Sequence, residues 1–311
     1  MHPFIYIGPL RLASYGTMIL IGIACGIVLL RFRAKRRDFS FEHALYALIY
    51  GAIGLALGAK LFYLAQALPS IVSNWDMFAA QPKLLLDLVT SGFVFYGGLF
   101  GALAGVLIYA RQYRLSFLAL LELLTPAIPL IHAFGRIGCF LAGCCFGIEY
   151  DGPFCVTFTS TDIAPLNIPL FPVQLMESAL LFMLAAFLLI YDARAKKPRC
   201  LIGWYLLLYG MIRMVTELFR GDEIRGIFLL FSTSQWISIL MIVVAIVLLV
   251  KLKVPQQPET QVPEKQTIAE ESEERDEDAS INEDPTDDIA DNADNADASS
   301  PSSPASSDED A

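Results

Sequence analysis

Long apolar stretches separated by short basic loops dominate the first 250 residues of the chain. Each stretch is close to the roughly 20 residues that an α-helix needs to cross the hydrocarbon core of a bilayer. Polar segments at 69–90 and 149–171 interrupt the series. The pattern predicts an all-α, polytopic membrane protein with seven transmembrane helices, at about residues 12–30, 43–68, 92–109, 117–134, 172–191, 201–219 and 236–250.

The distribution of Lys and Arg between the loops predicts the orientation of these helices. Thirteen Lys and Arg residues lie in the loops of one side, and four lie in the loops of the other side. Because cytoplasmic loops carry an excess of Lys and Arg, the N-terminus is predicted outside and the C-terminus in the cytoplasm. The basic loops assigned to the cytoplasm are 31–37, 111–114, 194–199 and 251–253.

Composition divides the chain into two predicted regions. Hydrophobic residues make up 55% of the sequence, above the roughly 45–50% of soluble domains. Residues 255–311 contain 19 acidic and two basic residues, which leaves 13 acidic and 20 basic residues for the rest. We therefore expect a seven-helix membrane domain at 1–254 and a disordered, acidic, cytoplasmic tail at 255–311. The basic residues sit in short loops that topology explains, so we expect no nucleic-acid partner.

The densest candidate chemistry lies in residues 132–147, which read HAFGRIGCFLAGCCFG. Arg136 follows an apolar helix and is surrounded by glycines that let backbone come close. An arginine at membrane depth needs an anion or a carboxylate as its partner. The sequence leaves two interpretations open: Arg136 pairs internally with an acid or a helix end, or it binds a substrate anion.

The 132–147 stretch resembles the glycine-arginine core of the bacterial prolipoprotein diacylglyceryl transferases. The resemblance covers most of residues 1–251 and rests on several ordered motifs. These are IGPLRLASYG near the start, FYGGLFGA in the middle, FPVQLMES after the 132–147 stretch, and WYLLLYGMIRMVTELFRGD near the end. Membership of this family implies a multi-pass protein of the bacterial plasma membrane.

The resemblance implies a reaction and its partners. The family transfers the diacylglyceryl group of phosphatidylglycerol to the cysteine thiol of a prolipoprotein signal peptide, within the lipid bilayer. Glycerol phosphate leaves, so Arg136 and Arg213 are expected to stabilise its developing negative charge. The thiol must also lose its proton, because the thiolate is the nucleophile. The reaction requires no metal or organic cofactor.

Further residues are expected around these two arginines. Tyr209, Arg213 and Glu217 are spaced four apart and share one helix face. An internal Arg213–Glu217 pair is one interpretation; the resemblance implies that Arg213 binds phospholipid and that Glu217 orients it. Glu177 is a candidate partner for any of the arginines, and Tyr15 aligns with a family tyrosine or belongs to an aromatic belt. The glycines expected at the site are Gly97, Gly98, Gly135, Gly138 and Gly147.

The chain departs from the family pattern at the expected base. Tyr96 precedes the paired glycines where the family usually has histidine. Tyrosine has an unperturbed pKa of about 10, against about 6.5 for histidine, which makes it a poor base near neutrality. His132 lies four residues before Arg136 and is a candidate replacement. The alternatives are that His132 bonds a backbone carbonyl, or that the field of the arginines acidifies the incoming thiol directly.

A second departure concerns the cysteines of the 132–147 stretch. Cys139 stands where the family commonly has asparagine, and Cys144 and Cys145 stand in the region of a family glutamate. Their spacing lacks the paired C-x2–4-C pattern of structural zinc sites, so we expect no metal. A disulfide to Cys155 on the outer side and simple packing by small residues are the other interpretations.

Two alternative functions stay open at this point. The first alternative is a divergent phospholipid-dependent membrane transferase with a different acceptor. The second is a non-catalytic membrane protein or a transporter. Transporters commonly carry inverted repeats with broken helices. The sequence shows no convincing internal repeat.

Overall fold

The described part of the chain folds into packed helices and three small hairpins. The computed structural model describes residues 4–7, 10–90, 92–159, 161, 163–194, 200–221, 227–228 and 231–251. The predicted tail, 255–311, lies outside the described residues, as do the basic residues of the 195–199 loop and Arg225. The described helices are α1 Ser14–Arg36, α2 Phe41–Ser73, α3 Trp75–Ala80, α4 Pro82–Thr90, α5 Phe95–Gln112, α6 Phe117–Leu124, α7 Ala127–Ala142, α8 Val173–Ala193, α9 Leu201–Glu217 and α10 Thr233–Lys251.

The described chain is mostly helical, which agrees with the expectation of an all-α membrane protein, and its few strands are short. Each of three polar or terminal segments forms a two-stranded antiparallel hairpin. The hairpins pair β1 Phe4–Ile7 with β2 Leu10–Ala13, β3 Val156–Thr157 with β4 Pro169–Leu170, and β5 Ile227–Phe228 with β6 Phe231–Ser232. The segment 69–90, expected to be merely polar, contains the end of α2 and the short helices α3 and α4.

Four helices, α1, α2, α8 and α10, are long and apolar enough to cross a membrane. Helices α6 and α7 together form a fifth candidate span, bent by 42°. The bend falls at Pro126, whose missing N–H and ring disfavour a continuous helix. Apolar side chains of these spans are widely exposed, including Leu20 at 68% and Leu240 at 62%, as lipid-facing residues would be.

The fourth predicted stretch ended too early. It was expected to stop at Phe134, with Arg136 just beyond, yet α7 continues to Ala142. Gly138 does not break the helix, because it lies against α1, where an added Cβ would come within 3.1 Å of the Tyr15 Cα. The helix ends instead at Gly143, whose φ of 77° is the left-handed conformation that glycine adopts readily.

Close backbone contacts between α2 and α5 explain one glycine pattern. A Cβ added at Gly54 or Gly58 would lie within 2.2 Å of a carbonyl oxygen of α5. Small residues four apart allow this approach between membrane helices. These glycines therefore serve the packing of α2 against α5. Other helices pack as the pairs α1 with α7, α7 with α8 and α9 with α10.

Candidate active site

A cavity of about 580 Å³ opens between α1, α5, α7, α9 and α10. Seven of the residues expected at the site line it: Tyr15, Tyr96, His132, Gly135, Arg136, Tyr209 and Arg213. These residues come from four helices that are far apart in the sequence. The bundle therefore gathers the expected residues around a single space.

Arg136 enters the cavity from α7 and is held by an acid on α8. Its Nη2 lies 3.0 Å from Oε1 of Glu177, whose side chain is 2% exposed. This ion pair bears out the suggestion that Glu177 partners an arginine. The Arg136 Nε is buried and has no hydrogen-bond partner among the described residues. Arg136 therefore pairs with an internal acid and still has one N–H donor available for a bound molecule.

Arg213 is held in a similar way from its own helix. Its Nη2 lies 2.6 Å from Oε2 of Glu217 and donates to Oγ of Ser234 at 3.0 Å. The hydroxyl of Ser232 donates to Oε1 of Glu217 at 2.9 Å, which fixes the carboxylate in turn. The Arg213 Nη1 is buried without a hydrogen-bond partner in the described part of the chain. Both guanidinium groups thus combine a carboxylate anchor with an unused donor.

One face of α7 supplies three chemically active side chains. His132, Arg136 and Cys139 all line the cavity, at the spacing of successive turns. The imidazole of His132 lies 5.5 Å from the ring of Tyr209, measured between centroids. His132 and Arg136, four residues apart on α7, therefore present their side chains to the same space.

Two tyrosines line the cavity and also reach its exposed side. Tyr15 on α1 is 45% exposed, and Tyr96 on α5 is 41% exposed. The ring of Tyr96 packs edge-on against Phe95, with centroids 5.7 Å apart. Aromatic groups with one apolar and one polar end suit the region where a lipid headgroup meets its chains.

Four of the expected glycines do not line the cavity. Gly97 and Gly98 are buried against α2, where a Cβ on Gly97 would lie 2.4 Å from the Gly58 carbonyl oxygen. Gly138 packs against α1. Their role in this structure is to bring helices together, and direct contact with a substrate in the cavity is not supported for them.

Gly147 acts through the backbone near Arg220. It forms an antiparallel bridge with Arg220, and an added Cβ would lie 2.3 Å from the Phe171 carbonyl oxygen. Only a residue without a Cβ fits between these two strands of chain. Arg220 also lines the cavity, although it was not among the residues expected at the site. Its position seven residues after Arg213, about two helical turns, could have indicated in the sequence that Arg220 lies on the same side as Arg213.

Helix α10 contributes a polar wall that the sequence did not predict. The hydroxyl residues Thr233, Ser234 and Ser238 line the cavity. They occupy one side of a mainly apolar helix. Polar residues grouped on one helix face could have indicated in the sequence that this face borders a cavity. Hydroxyls both donate and accept hydrogen bonds, so this wall suits a polar or phosphorylated group.

The cysteines behave differently from one of the expectations. Cys155 and the three cysteines of the 132–147 stretch are all free, so the suggested disulfide is not formed. The Sγ atoms of Cys139, Cys144 and Cys145 lie within 4.8 Å of one another. Cys139 and Cys145 line the cavity beside Arg136. Sequence spacing gave no indication of this cluster.

The lining of the cavity combines two arginine side chains with a largely apolar surface. Two buried arginines supply spare N–H donors, while aromatic and aliphatic side chains such as Phe95, Ile237 and Met241 line the remainder. Charge stabilisation is strong where preorganised donors lie in a low-dielectric space. The cavity can therefore hold an amphiphile whose anionic group contacts the arginines of its lining.

Comparison with known proteins gives a consistent assignment. The sequence profile of the prolipoprotein diacylglyceryl transferases matches residues 3–251. The chain is 39% identical to a phosphatidylglycerol–prolipoprotein diacylglyceryl transferase of Clostridium tetani, over 76% of this chain and 92% of that protein.

Two further relatives carry the same description. The second such transferase of Clostridium perfringens is 34% identical, over 77% of this chain and 90% of its own length. The transferase of Nitrosomonas europaea is also 34% identical, over 79% of this chain and 87% of its own length. With a profile match that spans nearly all the described residues, the chain belongs to the prolipoprotein diacylglyceryl transferase family.

Proposed function

We propose that this protein transfers the diacylglyceryl group of phosphatidylglycerol to the cysteine thiol of prolipoprotein signal peptides, the first step of lipoprotein maturation. The relatives are named for this activity, and they cover most of the chain. The partners are therefore phosphatidylglycerol, a prolipoprotein signal peptide and the lipid bilayer. The cellular site is the bacterial plasma membrane.

The observation that carries the proposal is the pair of half-satisfied arginines in the cavity. Arg136 and Arg213 each use one nitrogen on a carboxylate and keep another buried nitrogen without a partner. A buried donor without an acceptor costs about 1–3 kcal/mol. Both arginines line the cavity, so phosphate oxygens bound there would offer acceptors to these donors, and the substrate would recover this cost on binding.

The chemistry explains why two arginines are useful. The acceptor sulfur attacks the glyceryl carbon next to the phosphate, the new C–S bond forms, and the C–O bond breaks. Glycerol phosphate leaves with the electron pair, so a phosphodiester with one negative charge becomes a phosphate monoester with a second one. Arg136 and Arg213 stabilise that added charge as it develops, while Glu177 and Glu217 orient them.

The proton of the acceptor thiol needs a destination. His132 lines the cavity on the same face as Arg136, and it is our candidate for the proton acceptor. Tyr96 also lines the cavity and is the alternative. Tyr15 and Tyr209 are proposed to contact the lipid, since both border the same space.

The membrane arrangement that fits this activity has seven spans. We add α5, with 18 residues, and α9, with 17 residues, to the four candidate helices and the bent pair. At 1.5 Å per residue these two helices are roughly 26 Å long, near the thickness of the hydrocarbon core. The excess of basic residues in one set of loops supports an outer N-terminus and a cytoplasmic tail at 255–311.

Complementation tests the proposal directly. A bacterium whose own transferase can be depleted should grow when it expresses this chain, and intact mass spectrometry of its lipoproteins should show the added diacylglyceryl group. The Arg136→Ala variant, expressed to the same level, should fail. Growth without any diacylglyceryl modification would contradict the proposal.

A further inference from the structure

The start of α10 lies beside the end of α9, at the wall of the cavity. Arg213 and Glu217 belong to the last turns of α9, and Ser232 directly precedes α10. Thr233 and Ser234 line the cavity, whereas Ser232 does not. Ser232 is therefore placed to act on a bound molecule through the side chains that it contacts.

Ser232 and Gln235 form a reciprocal cap at the start of α10. The Gln235 N–H donates to the Ser232 hydroxyl oxygen at 3.2 Å, and the Ser232 N–H donates to Oε1 of Gln235 at 2.9 Å. This is the capping box, in which the residue before a helix and the third residue of the helix satisfy each other's backbone N–H groups. The position of the Ser232 hydroxyl is therefore fixed by the helix that follows it.

The hydroxyl of Ser232 has a second partner, on α9. It donates to Oε1 of Glu217 at 2.9 Å. A carboxylate only accepts and a backbone N–H only donates, so the hydroxyl accepts from Gln235 and gives its one proton to Glu217. Oε2 of the same carboxylate pairs with Nη2 of Arg213 at 2.6 Å. Both oxygens of Glu217 are therefore engaged, one by Ser232 and one by the arginine.

Arg213 returns the connection to α10, because its Nη2 also donates to Oγ of Ser234 at 3.0 Å. The contacts form a closed ring whose members are, in order, Ser232, Glu217, Arg213 and Ser234. A long side chain has many rotamers, and a ring of polar contacts at its end selects among them. The ring also leaves Nη1 of Arg213 buried and without a hydrogen-bond partner among the described residues. The selected rotamer thus keeps one donor for a molecule bound in the cavity.

The position of Glu217 on its own helix is electrostatically unfavourable. Glu217 is the last residue of α9. The helix dipole disfavours a negative side chain at a helix C-terminus and favours one at a helix N-terminus. The hydrogen bond from Ser232 places the carboxylate of Glu217 beside the first turn of α10. The start of α10 therefore offsets the unfavourable position of this acid at the end of α9.

We propose that Ser232 is a positioning residue for Arg213 and acts through Glu217. The inference rests on the proposed function, because it gives the hydroxyl a part in stabilising the phosphate that leaves. With the hydroxyl in place, the carboxylate and the guanidinium are held in one arrangement, and they need no reorganisation as charge develops. Without it, Glu217 loses the contact that ties it to α10, and Arg213 samples further orientations.

The loss should appear in the chemical step more than in lipid binding. The phosphate of phosphatidylglycerol carries one negative charge and gains a second one only as the C–O bond breaks. An interaction that strengthens in the transition state affects kcat, whereas one that is equal in both states affects KM. On loss of the Ser232 hydroxyl we expect kcat to fall about tenfold and KM for phosphatidylglycerol to change by less than about twofold.

Ser232→Gly separates the two roles of this side chain. Glycine is almost as good as serine before a helix, but it has no hydroxyl to donate to Glu217. The assay is steady-state transfer by the full-length protein in detergent micelles that contain phosphatidylglycerol, with a synthetic lipobox peptide as acceptor. Ser232→Gly should show the fall in kcat. Ser232→Thr keeps both the cap and the hydroxyl, so it should restore most of the wild-type kcat.

Ser232→Asp is a second test that does not depend on glycine. Aspartate caps helices as well as serine does, so α10 should keep its start. Its carboxylate cannot donate a hydrogen bond and repels that of Glu217. The kcat of Ser232→Asp should therefore fall at least as far as that of Ser232→Gly.

Ser40 and Ser116 provide matched controls for the change at a helix cap. Their hydroxyl oxygens accept from His43 N–H at 3.5 Å and from Ala119 N–H at 3.4 Å, at the starts of α2 and α6. Neither serine lines the cavity. Ser40→Gly and Ser116→Gly should therefore keep the wild-type kcat, with unfolding midpoints that shift as little as that of Ser232→Gly.

The outcomes separate the inference from the proposed function. Wild-type kcat in either Ser232→Gly or Ser232→Asp would overturn the positioning role and leave the function standing. So would a rise in KM alone, a fall in kcat of equal size in the Ser40→Gly control, or a Ser232→Thr protein as slow as Ser232→Gly. Absence of transfer by the wild-type protein in the same assay would overturn the proposed function itself.

Discussion

Arg136 and Arg213 each bind a carboxylate with one nitrogen and leave another nitrogen for the cavity. Lysine cannot bind a carboxylate and a substrate anion through separate nitrogens, because its single ammonium lacks the planar fork of guanidinium. We expect Arg136→Lys and Arg213→Lys each to lower the rate of diacylglyceryl transfer at least about 100-fold, the range seen for loss of one preorganised donor. The measurement is a kinetic assay with phosphatidylglycerol and a lipobox peptide.

A matched control is Arg31→Lys on the exposed side of α1, outside the cavity. It should transfer at the wild-type rate, with the same protein level and membrane insertion. Near-normal activity in both cavity variants would show that neither arginine holds the leaving group.

His132 and Tyr96 both line the cavity, so substitution is needed to separate them. If His132 accepts the thiol proton, His132→Gln should lose transfer activity, because the amide keeps hydrogen bonding but is not basic. Tyr96→Phe should then have a much smaller effect. The assay compares both variants with Tyr96→His across pH 6 to 9. Full activity in His132→Gln would remove it as the base, and loss in Tyr96→Phe alone would assign the role to the tyrosine hydroxyl.

At the residue scale, the sequence identified the charged and aromatic residues of the cavity better than it identified the glycines that line it. Charged and aromatic residues that are costly in an apolar helix, such as Arg136, His132 and Arg213, all reached the cavity. Gly97 and Gly98 did not, because the same small residues serve helix packing equally well. The proximity of the Cys139, Cys144 and Cys145 thiols could not be predicted. It depends on a left-handed turn at Gly143, which brings Cys144 and Cys145 back towards the last turn of α7.

At the element scale, helices α2 and α5 touch through their backbones. A Cβ at Gly101 would lie 2.0 Å from the Gly54 carbonyl oxygen, a separation that forces the two helices apart. We expect Gly101→Ala to destabilise the fold by about 1–3 kcal/mol, as overpacking does. The measurement is the midpoint of thermal unfolding in detergent.

Gly16→Ala on α1 is the control for this substitution. No atom lies within 4 Å of the position that its Cβ would take. Alanine is a better helix former than glycine, so Gly16→Ala should leave the midpoint unchanged or raise it. Equal effects of the two substitutions would show that the close approach of α2 and α5 does not limit stability.

A buried carboxylate joins α6 to the start of α9. Oxygens of Glu122 accept from Leu201 N–H at 2.6 Å and from Ile202 N–H at 3.3 Å, so Glu122 caps α9 from another helix. Glu122→Ala leaves two buried donors unsatisfied, and we expect it to cost about 1–3 kcal/mol. The comparison is with the exposed Glu42→Ala, which should have a smaller effect on the unfolding midpoint. A stability loss no larger than that of Glu42→Ala would show that the cap is not needed.

Most element positions followed from hydropathy, and their ends followed from local chemistry. The predicted stretch 172–191 corresponds closely to α8, Val173–Ala193, because a long apolar run has one solution in a membrane. The break between α6 and α7 was missed, as was the extension of α7 to Ala142. Both depend on which neighbouring helix accommodates a proline or a glycine, which one segment of sequence does not specify.

At the scale of the whole molecule, buried ionic contacts tie separate helices together. Arg33 on α1 donates to the Leu123 and Glu122 carbonyls and pairs with Asp192 on α8 at 3.0 Å. Arg37 contacts the same aspartate. These groups lie near the C-terminal end of α1, where the basic residues 31–37, expected to form a loop, are helical as far as Arg36. The positive charges that predict topology thus also join three helices there.

The last prediction concerns the two faces of the membrane. Seven spans with a cytoplasmic C-terminus place the 149–171 loop and the tail on opposite sides, and the charge asymmetry of the loops supports this arrangement. We expect Asp151→Cys, an exposed loop position, to react with a membrane-impermeant maleimide added to intact spheroplasts. Ser299→Cys in the tail should react only after the membrane is opened. Peptide mass spectrometry separates these labels from those on native cysteines. Labelling of both positions in intact spheroplasts would contradict the odd number of spans, three, between the 149–171 loop and the tail, and with it the cytoplasmic location of the tail.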